Sequence, residues 1–197
     1  MIGLHCLRIS ACNIVVFYKM LVYANEEGRM KIVFAAVVAV FQLLVGGDAF
    51  ACNLPLPKGE VVLTVDGMIK DCNDGQEVHL DRAMIEALPK KQIKTENPWD
   101  HGPVTYEGVL LRDLLNFVKA DGKTISFVAL NDYRSDMPAA DAQTYDVILA
   151  YKRDGEYLPV RDKGPFFVVF PFTDVPELAT EARYAQSVWQ VNRISVK

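Results

Sequence analysis

Residues 130–171 limit most narrowly what this chain can fold into. Polar and apolar segments alternate there over short distances. Residues 131–136 form a polar loop, 147–152 read as a strand, Asp154-Gly155 as a tight turn, 161–164 as a second polar loop and 166–170 as a further strand. Glycine supports such a turn because it tolerates positive φ. Two polar loops carried by two buried strands make a rigid frame of the kind that holds a ligand.

The flanking residues extend this pattern. Val61, Leu63 and Val65 alternate with more polar positions, which predicts a half-buried strand. Asp66-Gly67 is a turn and 77–80 a returning strand. Asp81 has the position of an N-cap for a short helix through Leu88, stopped by Pro89. A loop over 90–106 comes next, carrying Pro98, Trp99, Asp100, His101, Gly102 and Pro103. Leu111, Leu114, Leu115 and Val118 share one helix face, and Gly122 is expected as the left-handed cap. Residues 124–130 read as a strand, 173–183 as an acidic loop with one helical turn, and 187–196 as the closing strand. The fold class expected is α+β, with one mixed-sheet domain.

Charge and the N-terminal segment bear on location. The net charge is −4; four of the 21 basic residues and three of the 25 acidic ones fall within 1–51, so the remainder carries −5. An acidic domain without a basic cluster argues against nucleic acid as a partner. Met30-Lys31, the apolar run 32–45 and the small-x-small site Ala49-Phe50-Ala51 have the plan of a secretory signal peptide. A membrane anchor is the rival, but the run is short of the ~20 residues that span a bilayer. A lipoprotein acylated at Cys52 is a further alternative. Residues 1–29 fit no signal plan and are expected to be an untranslated leader, with Met30 as the start. The expected organisation is therefore leader 1–29, signal 30–51 and domain 52–197, with a periplasmic location. Cys52 and Cys72 are then an even pair in an oxidising compartment, which favours a disulfide. Metal binding is the alternative, with poor zinc spacing.

Several pieces together resemble the molybdopterin-binding domain of the sulfite oxidase superfamily. They are Met137-Pro138, the run from Val147 to Tyr151, Asp154-Gly155 with Leu158-Pro159, Lys163-Gly164-Pro165 and Val168-Val169-Phe170-Pro171. Tyr106-Glu107-Gly108-Val109-Leu110 through Leu115, and Ser187-Val188-Trp189, agree with it. Enzymes of that family carry a molybdenum-ligating cysteine in the loop before the Gly-Val segment, whereas residues 93–106 contain none, and Phe167 stands where a family arginine would be. The resemblance is therefore to the branch of periplasmic pterin-binding regulators that lack the cysteine. It implies a free, reduced pterin as ligand and no molybdenum. The implied partner is the periplasmic region of an inner-membrane receptor that makes or degrades cyclic di-GMP. An oxidoreductase subunit with a molybdenum cofactor is the alternative, and on this reading the chain is expected not to be an enzyme.

Ten residues are candidates for ligand binding. Trp99 offers a large flat face for stacking a heterocycle, and His101 a ring nitrogen that could hydrogen-bond a pterin carbonyl or ring nitrogen. Asp132, Tyr133, Arg134, Ser135 and Asp136 gather donors and acceptors that suit the amino group, N–H and carbonyl of a pterin. Asp162 and Lys163 lie on the facing loop, with Lys163 suited to an anionic group. Trp189 matches a family tryptophan. No nucleophile elbow occurs, and the two histidines beyond residue 51 support no triad. No catalytic residue and no metal ligand are assigned.

Overall fold

The structure is a computed structural model, and it describes residues 52–197. The expected leader and signal segments lie outside the described residues. Two sheets organise the domain. Strands β1 (Val61–Gly67), β2 (Val78–Asp81), β5 (Thr124–Ala129), β6 (Arg134–Pro138) and β10 (Val191–Val196) form the first, in the order β2-β1-β10-β5-β6. It is mixed, since β10 runs parallel to β1 and antiparallel to β5. Strands β3 (Lys90–Thr95), β4 (Val104–Leu110), β7 (Ile148–Arg153) and β8 (Glu156–Tyr157) form the second, and β9 (Phe167–Val169) pairs with β7 beside β8. The α+β class and its mixed sheet are as the sequence implies.

The main core lies against the first sheet. Leu63, Val65, Ile125, Phe127 and Ile194 pack there with Leu149, Tyr151 and Val168 of the second. Helix α2 (Leu111–Phe117) joins through the expected face, with Leu111, Leu114, Leu115 and Val118 all buried. Strand β7 is buried along both faces, since Ile148 and Ala150 enter a smaller second cluster with Ile93, Val104, Tyr106, Leu158, Phe167 and Val169. A continuous apolar run is what a strand covered on both faces requires. Trp99 packs against that smaller cluster.

Local chemistry explains the short helices. Asp81 caps α1 (Arg82–Glu86): one carboxylate oxygen accepts from Met84 N at 2.9 Å, the other from Lys58 N and Gly59 N at 2.8 Å each. These bonds, Met84's foremost, hold the Asp81 carboxyl below its ordinary range. The N-terminal segment is fastened by the Cys52–Cys72 disulfide, which the sequence favours over a metal, and by Asn73 Nδ2 donating to Pro55 O at 3.0 Å.

Several expectations need correction. The closing strand begins at Val191 and not at 187, and Asp66-Gly67 end β1, paired with β10. The loop 90–106 is mostly strand, with only the segment between β3 and β4 irregular, and the loop 131–136 gives way to β6 at Arg134. Both strands are sheet edges with few buried positions, Ile93 and Thr95 in one and Met137 in the other. A polar edge strand carries little apolar signal, and the lysines of β3 protect its open edge. The left-handed residue after α2 is Lys119, at φ 50°, not Gly122. Gly122 instead allows close approach, since a Cβ there would lie 2.5 Å from Lys197 O. Finally, 173–183 holds a 3-10 turn (Pro176–Leu178) and the start of helix α4 (Glu181–Gln186), while a helix the sequence did not suggest, α3 (Ala139–Thr144), comes after β6. Each of the three buries at most one side chain, so none leaves a helical apolar stripe. Among the described residues no helix is long and apolar enough to cross a membrane.

Candidate functional site

A cleft of about 260 Å³ opens where the β3–β4 loop, the end of β5 and the segment from α4 to β10 meet. Trp99, Asn131, Tyr133, Tyr184, Trp189 and Gln190 supply most of its wall. Trp99 stands edge-on to Trp189 at 5.6 Å, to Tyr184 at 5.8 Å and to Phe167 at 6.0 Å between ring centroids. Edge-to-face pairs are a favoured aromatic geometry, so the rings fix one another. Tyr133 reaches across to donate its hydroxyl to Ala185 O at 3.0 Å, joining the 131–133 turn to α4. Helix α4 has no fully buried side chain; its Tyr184 ring meets Phe172 at 5.1 Å as well as Trp99, and polar contacts hold the rest. Arg183 pairs with Asp141 and donates to Gln186 Oε1 at 2.8 Å, and Gln186 Nε2 donates to Asp136 O at 2.9 Å.

Behind the aromatic wall lies a buried ionic cluster. The Asp100 carboxylate, with a side chain 2% exposed, accepts from Lys163 Nζ at 2.7 Å. Arg153 approaches the same oxygen at 3.3 Å. The second oxygen accepts from Asn97 Nδ2 at 2.8 Å and from the Tyr106 hydroxyl. Asn97 in turn accepts from Trp99 N at 3.0 Å, so the cluster sets the loop that presents the Trp99 ring. Burial pushes the Asp100 carboxyl up, but Lys163, Tyr106 and Asn97 together outweigh it and hold the group below its usual range. Burial, and then the Asp100 charge, push the Tyr106 phenol well above its ordinary value.

Of the residues singled out from sequence, the cleft gathers Trp99, Tyr133 and Trp189. Lys163 sits one layer behind, its ammonium 5.5 Å from the Trp189 ring centroid, and it faces Asp100 instead of a ligand anion. His101 and Asp132 are exposed and outside the lining, Asp132 in a left-handed turn at φ 62°. Arg134, Ser135 and Asp136 belong to β6, with the Asp136 carboxylate 3.6 Å from Lys197 Nζ at the surface. Asp162 lies 3.8 Å from Arg153, also outside the cleft. Asp100, Tyr184 and Gln190 are the members that sequence reasoning missed. Asp100 had a signal, as the carboxylate beside Trp99 that could answer Lys163. Tyr184 had none, lying in an acidic stretch without periodicity.

A family model described as "Oxidoreductase molybdopterin binding domain" matches residues 73–173. The chain belongs to this family. Its match takes in the Trp99 loop, the Asp100 cluster and the Tyr133 turn. The crystal structure of the sulfane dehydrogenase SoxCD from Paracoccus pantotrophus is similar in fold, with a TM-score of 0.52 at 18% identity. That likeness covers 73% of this chain and 39% of the other, so this chain spans well under half the length of that relative. No curated protein matches. The protein is thus a molybdopterin-binding domain of the oxidoreductase type, and the expectation that it is no enzyme is corrected by its membership in an oxidoreductase family.

The residues present fit part of the group that this family implies. The aromatic walls and the neutral polar groups of the cleft suit a heterocycle. A metal held by a protein thiolate does not fit, because both cysteines of the described residues, Cys52 and Cys72, are joined in the disulfide. No group of three or more potential metal ligands occurs among those residues. A phosphate tail does not fit either, since no charged side chain lines the cleft.

Proposed function

We propose that the cleft binds a pterin, its bicyclic ring held among Trp99, Trp189 and Tyr184, with Asn131 and Gln190 toward its polar edge. The observation that carries this reading is the convergence of two tryptophans and two tyrosines from three separate segments on one uncharged cleft in a molybdopterin-binding domain. A flat heterocycle with a polar rim is the ligand that such a lining suits.

Family membership supports an oxidoreductase subunit as the use of that pterin, in which any metal would be held without a protein thiolate from the described residues. The uncharged cleft favours a second use of the same ligand. In it, the exported protein binds a free, reduced pterin in the periplasm and reports occupancy to the periplasmic region of an inner-membrane receptor controlling cyclic di-GMP. Tyr133 and Trp189, 46% and 38% exposed at the cleft, would present the occupied site to such a receptor.

Titration of the purified protein with reduced and oxidised pterins, followed by tryptophan fluorescence and heat, tests the shared step. A dissociation constant below millimolar is expected, weakened about tenfold in Trp189→Ala, which loses a stacking wall worth ~1 kcal/mol beyond the area it buries. Failure to bind any pterin removes both uses. Elemental analysis and turnover of sulfite or a sulfoxide then separate them: stoichiometric molybdenum with turnover marks the subunit, metal-free binding the reporter.

A further inference from the structure

The cleft lining is neutral, yet a lysine ammonium lies one residue layer behind it. Lys163 is buried, its carbonyl accepts from Gln190 N at 3.0 Å, and its ammonium sits 5.5 Å from the centre of the Trp189 ring. Gln190 and Trp189 both line the cleft. An unpaired cation at that depth would draw an anion into the site, because charges act strongly where water is excluded. Asp100 prevents this. Its contact with Lys163 at 2.7 Å is among the most buried ion pairs of the described residues, with side chains 2% and 5% exposed.

The charges around this pair cancel. Arg153 reaches Asp100 at 3.3 Å and Asp162 at 3.8 Å, so two cations face two carboxylates. Arg183, beside Tyr184 on α4, is turned to Asp141 and Gln186. A phosphate ester entering the cleft would meet no charged side chain to answer it, since every lining residue is neutral. An uncharged pterin loses only the hydration of polar groups. Of the two lining amides, Asn131 Oδ1 accepts from Tyr133 N and Gln190 Nε2 donates to Val160 O, which leaves Asn131 Nδ2 and Gln190 Oε1 to answer those groups.

We propose that Asp100 is a specificity-determining residue: by neutralising Lys163 behind the Trp189 wall, it reserves the cleft for an uncharged pterin and turns away one bearing a phosphate ester. This rests on the pterin reading above. Asp100 does not touch the ligand. It acts through the charge it cancels.

Calorimetric titration of the purified protein with dihydroneopterin and with dihydroneopterin monophosphate tests the proposal. The unphosphorylated ligand is expected to bind at least tenfold more tightly. In Asp100→Asn the ratio narrows at least threefold, and more at low salt, because Lys163 becomes free to meet the phosphate. The double variant Asp100→Asn/Lys163→Met removes both charges and returns the ratio to that of the wild type. A purely structural role for Asp100 would weaken both ligands alike and leave the ratio unmoved, which overturns the proposal. Should Asp100→Asn not fold, Lys163→Met reads the same charge with opposite sign: the carboxylate keeps Arg153 alone and the ratio widens. Equal affinity of the wild type for the two ligands overturns the proposal while the pterin reading stands. Binding of neither overturns both.

Discussion

Trp99 meets three rings edge-on, and each such pair contributes about 0.5–1.5 kcal/mol beyond the area it buries. Trp99→Ala is therefore expected to cost the fold about 3 kcal/mol, the low end for a tryptophan truncation because the residue is only partly buried. Urea denaturation measures this. Asp136→Asn is expected to leave pterin affinity within about twofold, since its carboxylate faces Lys197 outside the cleft and the lost surface pair is worth at most ~1 kcal/mol. The Asp100 carboxyl has a further consequence. Its pKa is lowered in the folded protein, so its contribution to stability is present above the unfolded value of ~3.9 and is lost as pH falls through the folded one. Acid titration of the unfolding free energy should show Asp100→Asn less stable at neutral pH, with a shallower loss below about pH 4. Trp99 was legible in the sequence as a large aromatic in a polar loop, and Trp189 through its match to a family tryptophan. Asp100 was not used, because its role depends on Lys163, 63 residues away, and only the folded backbone brings the two together.

At the scale of elements, α4 stands apart as a wall of the cleft with no buried side chain. Its hold on the body is the Tyr184 ring against Trp99 and Phe172, the Arg183–Asp141 pair, and the Tyr133 and Gln186 bonds. Elements secured in this way open at low free energy. Asp141→Asn should raise amide exchange across α4 several-fold and quicken ligand release, and saturating pterin should restore protection. Strand β4 behaves oppositely. A Cβ on Gly108 would lie 2.2 Å from Leu149 O, so the β4–β7 pairing demands glycine there. Gly108→Ala is expected to destabilise the domain by about 3 kcal/mol, at the upper end for overpacking. Elements with a filled apolar face, α2 and β7 above all, could be read from periodicity and composition. Strands β3 and β6 and helices α3 and α4 could not, because pairing and polar side-chain contacts, not a hydrophobic stripe, specify them.

For the whole molecule, two fastenings tie the N-terminal segment down, one covalent and one through Asn73 and Asp81. Reduction of Cys52–Cys72 is expected to lower the unfolding free energy by roughly 3 kcal/mol, the value for a loop of about this size. Denaturation with and without reductant checks it. The central place of β10 in the first sheet matters to the order of synthesis. Strands β1 and β5 are neighbours only through β10, which pairs with both. A chain made from its N-terminus therefore exposes two open strand edges, with Leu63, Val65 and Phe127 beside them, until Val191–Val196 has emerged. During that interval the nascent protein depends on whatever receives it to keep those edges apart. A messenger cut short before Val191 would yield an aggregate in place of a smaller working domain.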